Sequence, residues 1–217
     1  DYQAFIAKLF STETGLHKGK KIIATHFELI RGFASAIFSL HEERTILAQG
    51  ELISTALFHF YLEETGVRSV LLPALEFMRI DEEQEPVLSY IEENISKELK
   101  KYPKDKLFIT QGYICRNSYG DIDNLKRGGS DYSASLIGAA IREDEIQIWT
   151  DIDGMHNNDP RFVQNTHPVA ELSFDEAAEL AYFGAKILHP ASVYPAKKYN
   201  ISVRLLNTMA PEAAGTL

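Results

Sequence analysis

Apolar residues recur at three- and four-residue steps through the first third of the chain, the period that turns one helix face toward a core. The spacing predicts helices over residues 2–10 and 17–43, the second carrying Ile22, Ile23, Phe27, Ile30, Phe33, Ile37 and Leu40. A third is expected from Thr45 to Thr65, with Ile46, Ile53, Leu57 and Phe60 inward and Gly66 as its stop. Gln49-Gly50-Glu51 sits inside it, and because a helix-interior glycine costs about 1 kcal/mol against Ala, a close contact or a boundary is expected at Gly50. Farther on, Val67–Pro73, Leu107–Gln111, Gln147–Thr150 and Ile201–Leu206 are short apolar runs of strand type. Between them lie a polar helix ending near Tyr102, with Leu88, Ile91, Ile95 and Leu99 inward, and a helix within Leu125–Ile141. Another runs from the Ser173–Glu176 capping box through Phe183 to Gly184, and a short one opens at His189-Pro190. Glu76–Pro86 and Gly112–Asn124 are expected as loops. Strands separated by helices imply an α/β fold, a parallel-type sheet with helices on both faces, in a chain that reads as one unit.

The stretch Leu125–Ile141 concentrates candidate chemistry. Arg127 can fork onto a carboxylate or phosphate, and Gly128 and Gly129 let the backbone approach a ligand. Ser130 or Asp131 can cap the following helix, whose Tyr132, Leu136, Ile137, Ala140 and Ile141 give it a buried face. The helix amino end then points at whatever Arg127 holds. The same residues also fit an ordinary glycine turn before a capped helix. Asp151 falls at the carboxyl end of a strand, where ligands collect in open parallel sheets. The loop from Asp151 to Arg161 resembles a calcium loop only in composition: its glycine comes fourth, and its twelfth position is Phe162 rather than a bidentate Glu. Glu51, taken from its local sequence alone, reads as a solvated helix carboxylate before it reads as a site residue.

Composition narrows the classes. A formal charge of −9 over 217 residues argues against a nucleic-acid or anionic-membrane surface, so an anionic ligand must be held by local positive charge. Cys115 is the one cysteine, which excludes an intramolecular disulfide framework and a cysteine-based zinc cage, and points to the reducing cytoplasm. No apolar run of membrane-spanning length and no signal peptide is present. The seven histidines do not pair at metal-ligand spacings, and His26, His59 and His167 read as ordinary surface or core residues. No G-x-S-x-G, Walker A or G-x-G-x-x-G motif occurs. The chain opens at Asp1 within what already reads as helix, so its natural start is expected to lie upstream.

Four stretches, in order, resemble the aspartokinase branch of the amino-acid kinase family: Gln49-Gly-Glu-Leu-Ile-Ser54, Arg127-Gly-Gly-Ser-Asp-Tyr132, Trp149-Thr-Asp151 running into Asp159-Pro-Arg161, and Phe183-Gly-Ala-Lys-Ile-Leu-His-Pro190. The similarity extends from about Arg44 to Leu217. It implies a three-layer αβα sandwich with a mainly parallel sheet, and transfer of the ATP γ-phosphoryl to the side-chain carboxylate of L-aspartate, the first step toward lysine, threonine and methionine. By the same resemblance, Arg127, with Gly128, Gly129 and Ser130, holds a substrate carboxylate and Glu51 takes the ammonium. Asp131 organises the catalytic centre through a phosphate-contacting lysine. Thr150, Asp151, His156, Arg161, Lys186 and Ile187 carry over as nucleotide contacts, with Mg²⁺ arriving on the nucleotide. The full-length protein is expected to be a cytoplasmic homo-oligomer without nucleic-acid or membrane partners.

The chain departs from the family pattern in places. The Lys-Phe-Gly-Gly-Thr-Ser strand-loop and a second early Ser/Thr-rich loop do not occur, nor does the carboxyl-terminal ACT region, so 1–217 reads as an amino-terminally truncated catalytic domain. Fewer groups then offset the ATP charge, and this chain alone is expected to bind nucleotide weakly and to be nearly inactive. His156 stands where the family often has Tyr, and Asn124-Leu-Lys126 where Thr-Leu-Gly is common. Two other readings are a kinase for another acidic amino acid or for UMP, and a noncatalytic assembly subunit that keeps the fold. If Arg127 clamps the amino-acid carboxylate, Arg127→Ala raises the aspartate KM far more than the ATP KM. Equal effects on both constants, measured in steady-state kinetics, contradict that role.

Overall fold

In the computed structural model, which describes residues 1–33, 38–126, 129–158, 162–182 and 190–217, contacts divide the chain into two units, Asp1–Asn124 and Leu125–Leu217. The first begins with α1 (Tyr2–Leu9) and α2 (Glu13–Phe33). They approach closely because Gly19 has no side chain: a Cβ there would lie 2.9 Å from the Phe10 ring. With α3 (Leu40–Glu64) they enclose a core of Ile6, Phe10, Ile23, Ile53 and Leu57. Glu64, at the end of α3, accepts from the Ser11 N–H and the Thr12 hydroxyl, each at 2.6 Å, and so caps the amino end of α2.

The expected continuous helix over 17–43 is corrected. Residues 38 and 39 are not helical, and α3 starts at Leu40, five residues earlier than the pattern suggested. The cause is a capping box: Ser39 accepts from the His41 N–H at 3.2 Å, and Glu42 reaches back to the Ser39 N–H at 2.9 Å. Residues 34–37 lie outside the described residues. Gly50 is corrected as well, because it is neither a boundary nor a close contact. It is exposed within α3, and a Cβ there would meet nothing within 4 Å.

Beyond α3, β1 (Val70–Leu72) pairs in parallel with β2 (Phe108–Thr110), Val70 opposite Phe108, and α4 (Leu88–Lys100) lies between them in sequence with Ile91 and Ile95 buried. The stretch 112–124, expected as a loop, holds an antiparallel hairpin of β3 (Ile114–Arg116) and β4 (Ile122–Asn124), with Cys115 opposite Asp123. Its turn is built by the Asn117 side-chain oxygen, which accepts the N–H groups of Tyr119 (3.0 Å) and Asp121 (2.9 Å). The alternating pattern is disguised because an inward position of β4 is Asp123. That carboxylate is 3% exposed and ion-paired to Arg44 of α3.

The second unit comprises α5 (Gly129–Ile141), β5 (Glu145–Thr150), α6 (Phe174–Tyr182), α7 (Pro190–Tyr199) and β6 (Ser202–Asn207). β5 and β6 are parallel, from Glu145 opposite Ser202 to Thr150 opposite Asn207. The buried face of α5 differs from expectation: Ser133, Ser135, Gly138 and Ala139 are buried with Leu136, while Tyr132, Ile137, Ala140 and Ile141 are only partly covered. Small residues face inward because the helix lies close against β5, where a Cβ on Gly138 would come within 2.5 Å of Ile146. The α6 capping box forms as expected, Ser173 N–H to Glu176 at 2.8 Å and Glu176 N–H to Ser173 Oγ at 3.3 Å. Among the described residues, no helix is long and apolar enough to cross a membrane.

These two glycines separate open space from close packing. Gly50→Ala is expected to raise unfolding stability by about 0.5–1 kcal/mol through helix propensity. Gly138→Ala is expected to lower it by roughly 1–3 kcal/mol through overpacking. Urea unfolding of both variants checks this, and a destabilised Gly50→Ala contradicts it.

Candidate functional site

In the first unit the site is built on the polar face of α3. Arg44, Glu51 and Thr55 are spaced by seven and four residues, which places them on one side of a helix of 3.6 residues per turn. Arg44 is tied to Asp123 of β4. Thr55 Oγ1 accepts from Gln111 Nε2 at 2.8 Å, and Gln111 Oε1 accepts from the Ala74 N–H at 2.8 Å. Ala74 and Gln111 follow β1 and β2, so this face of the helix is fastened to the carboxyl ends of a parallel strand pair, where ligands bind in α/β folds. Between the two ties Glu51 is partly buried, no described side chain pairs with its carboxylate, and burial pushes it above the usual carboxylate range.

In the second unit, Lys126 (φ +54°) and Gly129 (φ +41°) lie in the left-handed region at the approach to α5. A glycine suits the latter because a side chain is strained there. The helix begins at Gly129, so Ser130 and Asp131 stand in its first turn rather than at its cap, which corrects their expected capping role. Ser130 is exposed. Asp131 is partly buried with no described partner, and burial raises its carboxyl despite the helix amino end, which favours the anion. Thr150 closes β5, its hydroxyl donating to the exposed Asp151 at 3.0 Å.

The loop after Asp151 is held from within. His156 is buried, with Nε2 2.7 Å from Asp153 Oδ1 and Nδ1 2.9 Å from Thr166 Oγ1. The bond from His156 holds the Asp153 carboxyl below its usual range. Thr216 accepts from the Met155 N–H at 2.8 Å and donates to the Val169 carbonyl at 2.6 Å, fastening the chain's last turn to this loop. Both ring nitrogens of His156 are therefore engaged inside the loop. Arg127, Gly128, Arg161, Lys186 and Ile187 lie outside the described residues.

The charge pattern singles out two of the expected residues. Among the described carboxylates with a resolved shift, Glu42, Glu64, Glu93, Asp105, Glu145, Asp153 and Glu176 are all lowered by hydrogen-bond partners. Only Glu51 and Asp131 are raised, each by burial alone. A desolvated carboxylate without a partner is costly to keep, and such groups collect where a ligand supplies the missing charge. Thiol chemistry drops out, since Cys115 is buried and its thiol is pushed up to about 12. The sequence reading missed Arg44, Thr55, Gln111 and Asp123. Their signals were the spacing of Arg44 and Thr55 from Glu51, a polar residue ending the apolar run of β2, and a carboxylate at an inward hairpin position.

The model of the family described as amino acid kinase family matches residues 4–207, running through both units. The chain is 38% identical over 175 residues to lysine-sensitive aspartokinase 3 of Escherichia coli (strain K12), covering 79% of this chain and 39% of that protein. It is 35% identical over 207 residues to aspartokinase 1, chloroplastic, of Arabidopsis thaliana, covering 90% of this chain and 36% of that protein. Among solved structures it superimposes on E. coli aspartokinase III in complex with aspartate and ADP with a TM-score of 0.82 at 34% identity, covering 91% of this chain and 44% of that one. The chain thus spans less than half the length of these relatives.

Glu51 and Asp131 both titrate higher in the folded chain than in the unfolded one. Their contribution to stability is full below the unfolded pKa, near 4, and is lost as pH rises through the folded values. Glu51→Gln and Asp131→Asn should therefore be more stable than the parent at pH 7, with the advantage vanishing toward pH 4. Urea unfolding across that range measures it, and a loss of stability at pH 7 in both variants counts against uncompensated carboxylates.

Proposed function

Since the chain belongs to the amino acid kinase family, we propose that it is the catalytic portion of an aspartate kinase, transferring the γ-phosphoryl of ATP to the side-chain carboxylate of L-aspartate. The observation that carries the reading is Glu51: a partly buried carboxylate, unpaired among the described residues, on the helix face tied to the strand carboxyl ends. It suits an ammonium ion that enters with the substrate and replaces the missing counter-charge. The likeness to aspartokinases over most of this chain supports the choice of acceptor.

In this reading one carboxylate oxygen of aspartate attacks the γ-phosphorus while the bond to the β–γ bridging oxygen breaks and ADP leaves. The acceptor is already ionised at neutral pH, so no general base is required. The protein's work is alignment and charge compensation. Glu51 takes the ammonium, Arg127 the carboxylate that does not react, and Ser130 with the Gly128–Gly129 backbone assists. Asp131, in the first turn of α5, organises the phosphoryl-transfer centre. Thr150, Asp151, Arg161, Lys186 and Ile187 hold the nucleotide, and His156 shapes the loop beside it through its bonds to Asp153 and Thr166.

The described residues contain no group of three or more His, Cys, Asp or Glu side chains able to hold a metal ion. In this reading Mg²⁺ arrives on the nucleotide phosphates with several waters retained. When bound, the ion would offset phosphate charge. In the longer protein these chains assemble as a homo-oligomer.

Trapping with hydroxylamine tests the reaction, because an acyl phosphate yields a hydroxamate. A version of the chain extended at its amino end is expected to form aspartyl hydroxamate only with both ATP and L-aspartate, and the 217-residue chain very little. No product from the extended version overturns the kinase reading.

A further inference from the structure

An unbroken series of hydrogen bonds leads from the strand ends to the backbone of Glu51. The Ala74 N–H donates to Gln111 Oε1 at 2.8 Å, Gln111 Nε2 donates to Thr55 Oγ1 at 2.8 Å, and the Thr55 hydroxyl donates to the Glu51 carbonyl at 2.7 Å. Gln111 is 2% exposed, so both halves of its amide need partners inside the protein. The two partners fix its orientation, because the Ala74 N–H can only be met by the amide oxygen. With Thr55 Oγ1 accepting from Gln111, its single proton is directed to Glu51. A threonine bonded back to the carbonyl four residues earlier is common in helices. Here Gln111 takes hold of that same hydroxyl and joins it to residues that follow β1 and β2.

We infer that Gln111 and Thr55 are positioning residues for Glu51, fixing the helix turn that presents its carboxylate to the ammonium group of the amino-acid substrate. The inference rests on the aspartate kinase reading and extends it to residues that do not touch substrate. Thr55 follows Glu51 by one helical turn and holds its carbonyl, while the Glu51 carboxylate itself has no described partner. The relay therefore sets where the charge stands without neutralising it. Gln111 does the same for the distance to the strand ends. Because only the ammonium end of the substrate depends on Glu51, disturbance of the relay falls on amino-acid binding and spares the nucleotide.

The experiment is a kinetic series in the amino-terminally extended chain, read by hydroxamate formation. Thr55→Val keeps the side-chain shape and removes the hydroxyl, Gln111→Leu removes the amide, and Thr55→Ser keeps the hydroxyl. Thr55→Val and Gln111→Leu should raise the aspartate KM roughly three- to tenfold while the ATP KM stays within about twofold. Thr55→Ser should restore near-parental values. Gln111→Asn, which shortens the amide without removing it, should give the same selective rise and serves where the leucine variant does not fold. In a Glu51→Gln background, Thr55→Val should add nothing to the aspartate KM, the signature of two residues acting through one another. Equal rises in both constants, an unchanged aspartate KM, or full additivity with Glu51→Gln overturns the positioning role. A parent protein that forms no aspartyl hydroxamate instead overturns the aspartate reading on which it rests.

Discussion

Helix α3 must satisfy two chemically different faces at once, and the first unit depends on that constraint. One face buries Ile53 and Leu57 against α1 and α2. The other carries Arg44, Glu51 and Thr55 and is fastened to β4 and to Gln111 at the end of β2. The apolar face fixes the rotation of the helix about its axis, since a turn of even one residue would expose core side chains. The two polar ties then fix its height along the strands. With both set, Glu51 has no freedom to seek a partner of its own. A carboxylate left in that condition costs the folded chain stability, and the site makes physical sense if the compensating charge arrives with a ligand.

The second unit repeats the logic with different parts. Small residues on α5 let it pack closely on β5, so its amino end, with Asp131 in the first turn, is placed by backbone approach rather than by side-chain pairing. The strand end at Thr150–Asp151 is followed by a loop held through His156, Asp153, Thr166 and Thr216. Internal bonds absorb the polar groups of that loop, while Asp131 stays unpaired among the described residues. A uniform set of solvated carboxylates would not produce this contrast.

Much of this was legible in the sequence where one principle dominated locally. The helix over Leu88–Lys100 and the box at Ser173–Glu176 follow from periodicity and capping, and the short strands from apolar runs between turns. What escaped was decided by tertiary pairing. The hairpin over 114–124 is hidden because Asp123 looks like a loop residue until Arg44, far away in sequence, neutralises it. The start of α3 was obscured because apolar spacing continues past Phe33 into Leu40, although Ser39 and Glu42 spell a cap. Gly50 suggested a close contact from its local cost alone, yet it faces open space. Glu51 and Asp131 could be named from motif resemblance. That they are, among the described residues, the carboxylates raised by burial, and that Gln111 reaches Glu51 through Thr55, required the fold.

Glu51, unpaired among the described residues, is proposed to receive an ammonium ion. Comparing kcat/KM for L-aspartate and for succinate, which keeps both carboxylates but lacks the ammonium, tests it in the parent and in Glu51→Gln. A strong parental preference for aspartate is expected, shrinking by roughly ten- to a hundredfold in the variant through loss on aspartate alone. Equal losses on both acceptors would contradict it.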